Sequence, residues 1–270
     1  MEQISILGCG WLGLPLAKEF LAKGYSIKGS TTSPEKINTL QQAGIKPYRI
    51  ALHPDTIEGD ITDFLNGSKI LIIDIPPKLR GKANENESFT DKIKTLLPHI
   101  ENSDVSKVIF ISSTSVYGDV EGIITEETTP QPSNESGKQL LEVEQLLQNN
   151  ENFTTVIVRF GGLIGEDRHP VHYLAGKKDI PDPDTPVNLI HRDDCINIIL
   201  KIVEKNFEEG ILNGVAPYHP TKKEYYTKKA KEKNLPLPIF ISREEACVVK
   251  KIAVNKVTEV FNYTFNQNNL

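Results

Sequence analysis

Gly8-Cys9-Gly10-Trp11-Leu12-Gly13 follows a short apolar run, Ile4 to Leu7, and opens a segment whose apolar residues recur at helical spacing. Glycines at this spacing, between a strand and a helix, are suited to cradling a diphosphate. The first permits a tight turn, the second lets backbone approach phosphate oxygens, and the third allows close packing of helix on strand. Free N–H groups and a partial positive charge at the helix start then face the anion. The motif predicts a dinucleotide site made by Gly8, Gly10, Trp11, Leu12 and Gly13.

A second anchor is expected at the end of the next strand, where an acidic side chain accepts the ribose hydroxyls of NAD. The chain reads Lys28-Gly29-Ser30-Thr31-Thr32-Ser33 there, without a carboxylate, and Lys36 follows. Ser30, Thr31 and Lys36 are expected to hold an adenosine 2′-phosphate, which favours NADP and leaves NAD open. Ser33 before Pro34 also reads as an ordinary helix cap. Further on, Ile73-Asp74-Ile75-Pro76-Pro77 ends in prolines that cannot continue a ladder, so Ile75 and Pro76 are expected against the cofactor. Arg168-His169-Pro170-Val171-His172 offers two histidines three apart with no third ligand, so no metal is expected. Arg168 reads instead as a bidentate donor for an anionic substrate group.

The elements that would position these residues alternate. Strands are predicted at 4–7, 25–29, 46–52, 69–74, 105–112 and 153–160, and helices at 12–22, 34–43, 88–100 and from Pro132 to about Leu147. Such alternation implies an α/β Rossmann-type doubly wound parallel sheet. After residue 160 the rhythm loosens, with a strand-like 187–191 and a helix 193–205. The expected organisation is a dinucleotide-binding domain over 1–160, to which 187–215 returns, and a small interleaved substrate lobe from 161–186 and 216–270.

The 270 residues carry a net charge of −5, with 38% hydrophobic and 25% charged residues, an ordinary globular composition. No apolar run approaches the roughly 20 residues of a membrane span. The lysine-rich stretch from Thr221 to Lys233, interleaved with Tyr225, Tyr226 and Ala230, reads as an exposed helix with an apolar stripe. Neither a nucleic-acid nor a membrane partner is expected. Cys9, Cys195 and Cys247 suit a reducing compartment, and Met-Glu-Gln leads straight into a strand without a secretory pattern, so a cytoplasmic location is expected.

Three further segments carry a resemblance: Ile111-Ser112-Ser113-Thr114-Ser115-Val116-Tyr117-Gly118, Val158-Arg159-Phe160-Gly161-Gly162-Leu163-Ile164-Gly165, and Asn188-Leu189-Ile190-His191-Arg192-Asp193-Asp194. With the glycine loop and Lys138, they make the chain resemble the short-chain dehydrogenase/reductase superfamily, in its extended and atypical NAD(P)-dependent epimerase/dehydratase branch. The resemblance implies an oxidoreductase or epimerase acting on a nucleotide sugar or small polar carbonyl, as a monomer or homodimer. It implies that Ser113 binds the substrate oxygen, that Ser112 and Lys138 lie at the cofactor, and that Asn188 lies at the substrate. It also implies a tyrosine four residues before Lys138, whose phenol moves the proton. Asn134 stands there. An amide does not titrate, which leaves Tyr117 as the alternative proton carrier and a non-catalytic redox sensor or scaffold as the alternative function. Gly137, inside the helix, suggests close approach to the cofactor or a neighbouring strand.

Overall fold

A computed structural model describes residues 2–77, 87–241 and 249–266. Seven strands form one parallel sheet: β1 (Gln3–Leu7), β2 (Ser26–Thr31), β3 (Lys46–Arg49), β4 (Ile70–Ile73), β5 (Lys107–Ser113), β6 (Thr154–Phe160) and β7 (Gly210–Gly214). Their spatial order is 3-2-1-4-5-6-7. The central strands read as apolar runs because helices cover both faces. Ile4, Ile6, Leu71, Ile72, Val108, Ile109, Val156 and Ile157 are all fully buried. The helices are α1 (Gly13–Ala22), α2 (Ile37–Gln42), α3 (Phe89–Glu101), α4 (Glu135–Gln148), α5 (Arg192–Glu204) and α6 (Lys222–Glu232).

Parallel pairing brings every strand's carboxyl end to one edge. Leu7 pairs with Ile73, Ile73 with Phe110, Ser113 with Phe160, and Phe160 with Gly214. That edge is where an open α/β sheet binds its ligand, at the point where the strand order reverses beside β1.

Three of the structure's departures from the expected elements bear on the sheet. β3 stops at Arg49, and Ala51–Leu52 turns away to pair antiparallel with Ile57–Glu58. Gly59 closes that excursion against the Arg49 carbonyl, where a Cβ would collide. α4 begins at Glu135 rather than near Pro132, because Asn134 Oδ1 accepts the Gly137 N–H at 2.9 Å and caps the helix. β7 is an additional strand that supplies the sheet's far edge; its apolar run is short and bounded by Gly210 and Gly214.

Beyond the sheet, Gly162–Ile164 pairs with Leu189–His191, and Gly122–Ile124 with Lys250–Ile252. A second apolar cluster gathers Ile164, Val171, Val187, Leu189, Tyr225, Tyr226 and Ala230. α6 contributes Tyr225, Tyr226 and Ala230 to it, so the lysine-rich segment is an amphipathic helix with a capping box at Thr221 and Glu224. Ile252, Val254, Val257, Phe261 and Phe265 instead join the main core. Cys247 lies outside the described residues; Cys9 and Cys195 are buried free thiols.

A buried ion pair fastens α4 to the sheet. Arg159 on β6 and Glu144 on α4 are 2% and 1% exposed, and the guanidinium Nε and NH2 donate to the carboxylate at 2.6–3.2 Å. Ser112 donates to the same carboxylate at 2.5 Å. Arg159→Met leaves a buried carboxylate without its counter-charge, which should lower the unfolding free energy by about 3–5 kcal/mol in urea denaturation. Adding Glu144→Leu should restore more than half of that loss. No restoration would show that shape, rather than the stranded charge, carries the effect.

Candidate functional site

The glycine loop is built by close packing from below. Gly8 has φ +109°, and a Cβ there would collide with the Asp74 carbonyl. A Cβ on Gly13 would collide with the Gly8 carbonyl. Both demands come from within the protein. Gly10 differs: a Cβ there would meet nothing within 4 Å. The internal packing therefore does not require this glycine, whereas a ligand approaching the loop from outside would.

β2 pins the loop from the side. The Gly8 N–H donates to Ser30 Oγ at 2.9 Å and the Cys9 N–H to the Ser30 carbonyl at 2.7 Å. Ser30 is 2% exposed, so its side chain fastens the loop and does not face the surface that a 2′-phosphate would meet. Thr31 is also buried, its Oγ1 accepting from the Ser33 N–H at 3.1 Å. Both were expected as phosphate ligands; here their hydroxyl oxygens accept from backbone amides and both side chains are buried, turned from the exposed surface at the strand end. Lys36 is exposed, as are Thr32 and Arg49, the last paired in register with Thr31. Arg49 escaped sequence reasoning because only strand register brings it there.

The loop opens α1 without a cap. Leu12 occupies the N-cap position and supplies no side-chain hydrogen bond. α3, α4, α5 and α6 each begin on a side chain that accepts from the first turn: Ser88, Asn134, His191 and Thr221. Among the described residues nothing in the chain accepts from the amides of Trp11 and Leu12. Amides at a helix start need a partner, and two of them beside Gly10 fit the oxygens of a diphosphate. The Leu12 side chain is buried, and Trp11 reaches across to Asp167 Oδ1 at 3.0 Å. Ile75 is half-buried against Gly8, while Pro76 is exposed beside it at the sheet edge.

Ser113 ends β5 partly exposed, its Oγ accepting the Ser115 N–H at 3.1 Å. Lys138 is exposed in the first turn of α4. Gly137 brings them to one neighbourhood, since a Cβ on it would stand 2.9 Å from the Ser115 carbonyl. Ser112 points the other way, into the Glu144–Arg159 pair, so its expected place at the cofactor is corrected by strand alternation.

Tyr117 is fully buried, its hydroxyl donating to Asn213 Oδ1 at 2.9 Å and its ring lying 4.8 Å from the Arg159 guanidinium. Burial pushes its phenol above the ordinary value, the opposite of what a proton carrier requires. The alternative catalytic role expected for it is therefore corrected to a structural one. Asn188 is likewise corrected: its amide donates to the Lys250 carbonyl at 2.9 Å and accepts from the Ile252 N–H at 3.0 Å, tying down a strand. Arg168 is exposed, its guanidinium 5.0 Å from the Trp11 ring, so it stands at the cofactor loop. Both ring nitrogens of His169 are engaged, by Tyr225 and by the Val171 N–H.

Comparison with known proteins adds the lineage. Residues 8–206 match the family model described as NAD(P)H-binding. Protein YeeZ of Escherichia coli K12 is 33% identical over 241 residues, 89% of this chain and 87% of that protein. A UDP-glucose 4-epimerase of Lacticaseibacillus casei is 26% identical over 200 residues, 64% of this chain and 57% of its own length. Among solved structures, UDP-glucuronic acid 4-epimerase from Bacillus cereus in complex with NAD superposes with a TM-score of 0.80 at 20% identity, covering 98% of this chain and 91% of that one. A short-chain dehydrogenase/reductase superfamily protein from Agrobacterium tumefaciens with bound NAD gives 0.79 at 15% identity, over 98% and 93%.

One carboxyl was not singled out as a site residue. Asp74, directly after β4, accepts the Gly13 N–H, and enclosure under the glycine loop raises its pKa to about 8. In the unfolded chain an aspartate titrates near ~3.9. Between those values the folded protein holds a proton that the unfolded chain has lost, so stability should fall as pH rises from about 4 to about 8 and level above. Asp74→Asn keeps an acceptor for the Gly13 N–H and removes the titration. It should flatten that slope and raise the melting temperature at pH 8 by roughly 2–4 °C, about 1 kcal/mol at this chain length. A mutant and wild type with parallel pH profiles would contradict the assignment.

Proposed function

The chain belongs to the NAD(P)H-binding family, and from that premise we propose that it is a cytoplasmic NADP-binding oxidoreductase or epimerase-like protein of the short-chain dehydrogenase/reductase, epimerase/dehydratase kind. Its substrate is a nucleotide sugar or a small polar carbonyl compound. The observation that carries the reading is the pair of amides at Trp11 and Leu12, unpartnered among the described residues, beside the open side of Gly10. These groups hold the diphosphate of the cofactor, and the bound nicotinamide supplies hydride transfer. NADP is supported by the stretch Lys28–Ser33, which lacks a carboxylate, and by exposed Thr32, Lys36 and Arg49 around the end of β2. The nucleotide-sugar class is supported by the likeness to proteins described as UDP-glucose and UDP-glucuronic acid 4-epimerases.

Ser113 offers a hydroxyl to the substrate oxygen at the end of β5, and Lys138 holds the nicotinamide ribose by its ammonium group. The phenol that the resemblance implies beside them is absent. Asn134 is engaged as the α4 cap and does not titrate. That observation favours a second reading, in which the protein binds the dinucleotide without turnover and acts as a redox sensor or scaffold.

Fluorescence titration separates these statements. NADPH should bind about tenfold or more tightly than NADH, a difference of at least about 1.4 kcal/mol. Gly10→Ala should weaken binding of both about tenfold or more without lowering the melting temperature, since a Cβ there meets nothing within 4 Å in the protein. Wild type that binds neither nucleotide overturns the proposal. Asn134→Tyr should raise carbonyl reduction by roughly 10²–10⁴ if only the proton carrier is lacking, with about 1 kcal/mol of stability lost with the cap. Wild type that already turns over, unimproved by the change, returns the protein to the enzyme reading with a different proton carrier.

A further inference from the structure

The chain's single tryptophan, Trp11, stands inside the glycine loop and gathers three charged side chains from the distant part of the chain. Its indole N–H donates to Asp167 Oδ1 at 3.0 Å, and the same oxygen accepts from Arg192 NH1 at 3.3 Å. The guanidinium carbons of Arg168 and Arg192 each lie 5.0 Å from the Trp11 ring. The segment that carries Asp167 and Arg168 is folded tightly against the ring. Gly165 and Arg168 exchange backbone hydrogen bonds at 2.8 and 3.2 Å, and a Cβ on Gly165 would stand 2.8 Å from Trp11 Cζ2.

Two guanidinium groups share one ring; Asp167 pairs with Arg192 at 3.3 Å, and after the indole hydrogen bond the charges of both arginines help hold its carboxyl below the ordinary range. Arg192 Nε is buried without a hydrogen-bond partner among the described residues, and Arg168 forms no ion pair among them. A contact that only fastened this segment to the loop would need one arginine on the ring. A second like charge beside the first is unfavourable unless an anion joins them. Stacking on an indole engages the face of a guanidinium and leaves its N–H edge free for oxyanions, in the fork geometry that matches phosphate.

Resting on the dinucleotide-binding reading, we propose that Arg168 and Arg192, seated on Trp11 and oriented by Asp167, form a clamp for the diphosphate group bound at the amides of Trp11 and Leu12. The cofactor site is then completed by residues from outside the N-terminal βαβ unit, and Trp11 serves both sides of it. A diphosphate reaches this edge from the dinucleotide or from a nucleotide sugar. The position of the ring within the glycine loop assigns it to the dinucleotide.

Trp11 emission reads the site directly because no other tryptophan contributes. Wild type, Arg168→Gln, Arg192→Gln and Arg192→Lys are titrated with NADPH, with ADP-ribose, which has the diphosphate and no nicotinamide, with adenosine, and with UDP. Each glutamine variant should bind ADP-ribose and NADPH about tenfold or more weakly, with adenosine unchanged and a shallower salt dependence. Arg192→Lys, which keeps the charge and loses the fork, should fall between. Arg168 is exposed, so its glutamine variant keeps the test valid should an Arg192 variant fold poorly. ADP-ribose affinity within twofold of wild type in both glutamine variants overturns the clamp and leaves a purely mechanical contact. Selective loss of UDP affinity overturns the assignment to the dinucleotide. Wild type that binds neither NADPH nor ADP-ribose overturns the underlying dinucleotide reading, a result distinct from failure of the clamp.

Discussion

A helix that starts without a cap in a protein that caps its other long helices sets the terms for the whole carboxyl edge of the sheet. Gly8 and Gly13 are pressed so closely on Asp74 and on each other that neither position has room for a Cβ. Ser30 holds the turn between them from β2 through both its hydroxyl and its carbonyl. The consequence is a pair of amides, at Trp11 and Leu12, that find no acceptor among the described residues. Donors at a helix start carry a partial positive charge. In the proposed function a dinucleotide diphosphate satisfies them, and the order of the strands places the reversal point of the sheet beside the same loop.

The rest of the edge divides between packing and chemistry in an uneven way. Ser112, Tyr117 and Asn188 sit in segments that suggest reaction or ligand contact, yet each is tied into the protein: Ser112 to Glu144, Tyr117 to Asn213, Asn188 to the strand Lys250–Ile252. Their hydrogen bonds join elements far apart in sequence and help hold α4, β5, β7 and the strand Lys250–Ile252 in one arrangement. Ser113 and Lys138 remain as the accessible polar pair near the turn after β5. A serine and a lysine can orient a carbonyl and a ribose, but the position four residues before Lys138, where the resemblance implies a phenol, holds the Asn134 amide, which does not titrate.

Local signals made the scaffold legible in the sequence. Apolar runs of strand length alternate with helical periodicity, and the G-x-G-x-x-G spacing stands at the first strand-to-helix turn, so the sheet and its loop follow from residues close together in the chain. What depended on long-range geometry was not legible. β7 carries a short apolar run between two glycines and acquires its meaning by pairing with β6. Arg49 reaches the end of β2 through register, and Asp167 and Arg192 meet Trp11 across some 150 residues or more of sequence. Asn134 shows a different limit: as a missing tyrosine it spoke only of lost chemistry, whereas the structure gives it a positive role as a helix cap. Ser30 and Thr31 were legible as hydroxyls but not as acceptors already satisfied by nearby amides.

The most direct test of the central claim is a crystal structure with NADPH bound. The account predicts diphosphate oxygens within hydrogen-bond distance, about 2.7–3.2 Å, of the Trp11 and Leu12 amide nitrogens, with Gly10 in van der Waals contact and the backbone of residues 8–13 unmoved. Nucleotide bound elsewhere, or those two amides still without a phosphate partner at full occupancy, would contradict it.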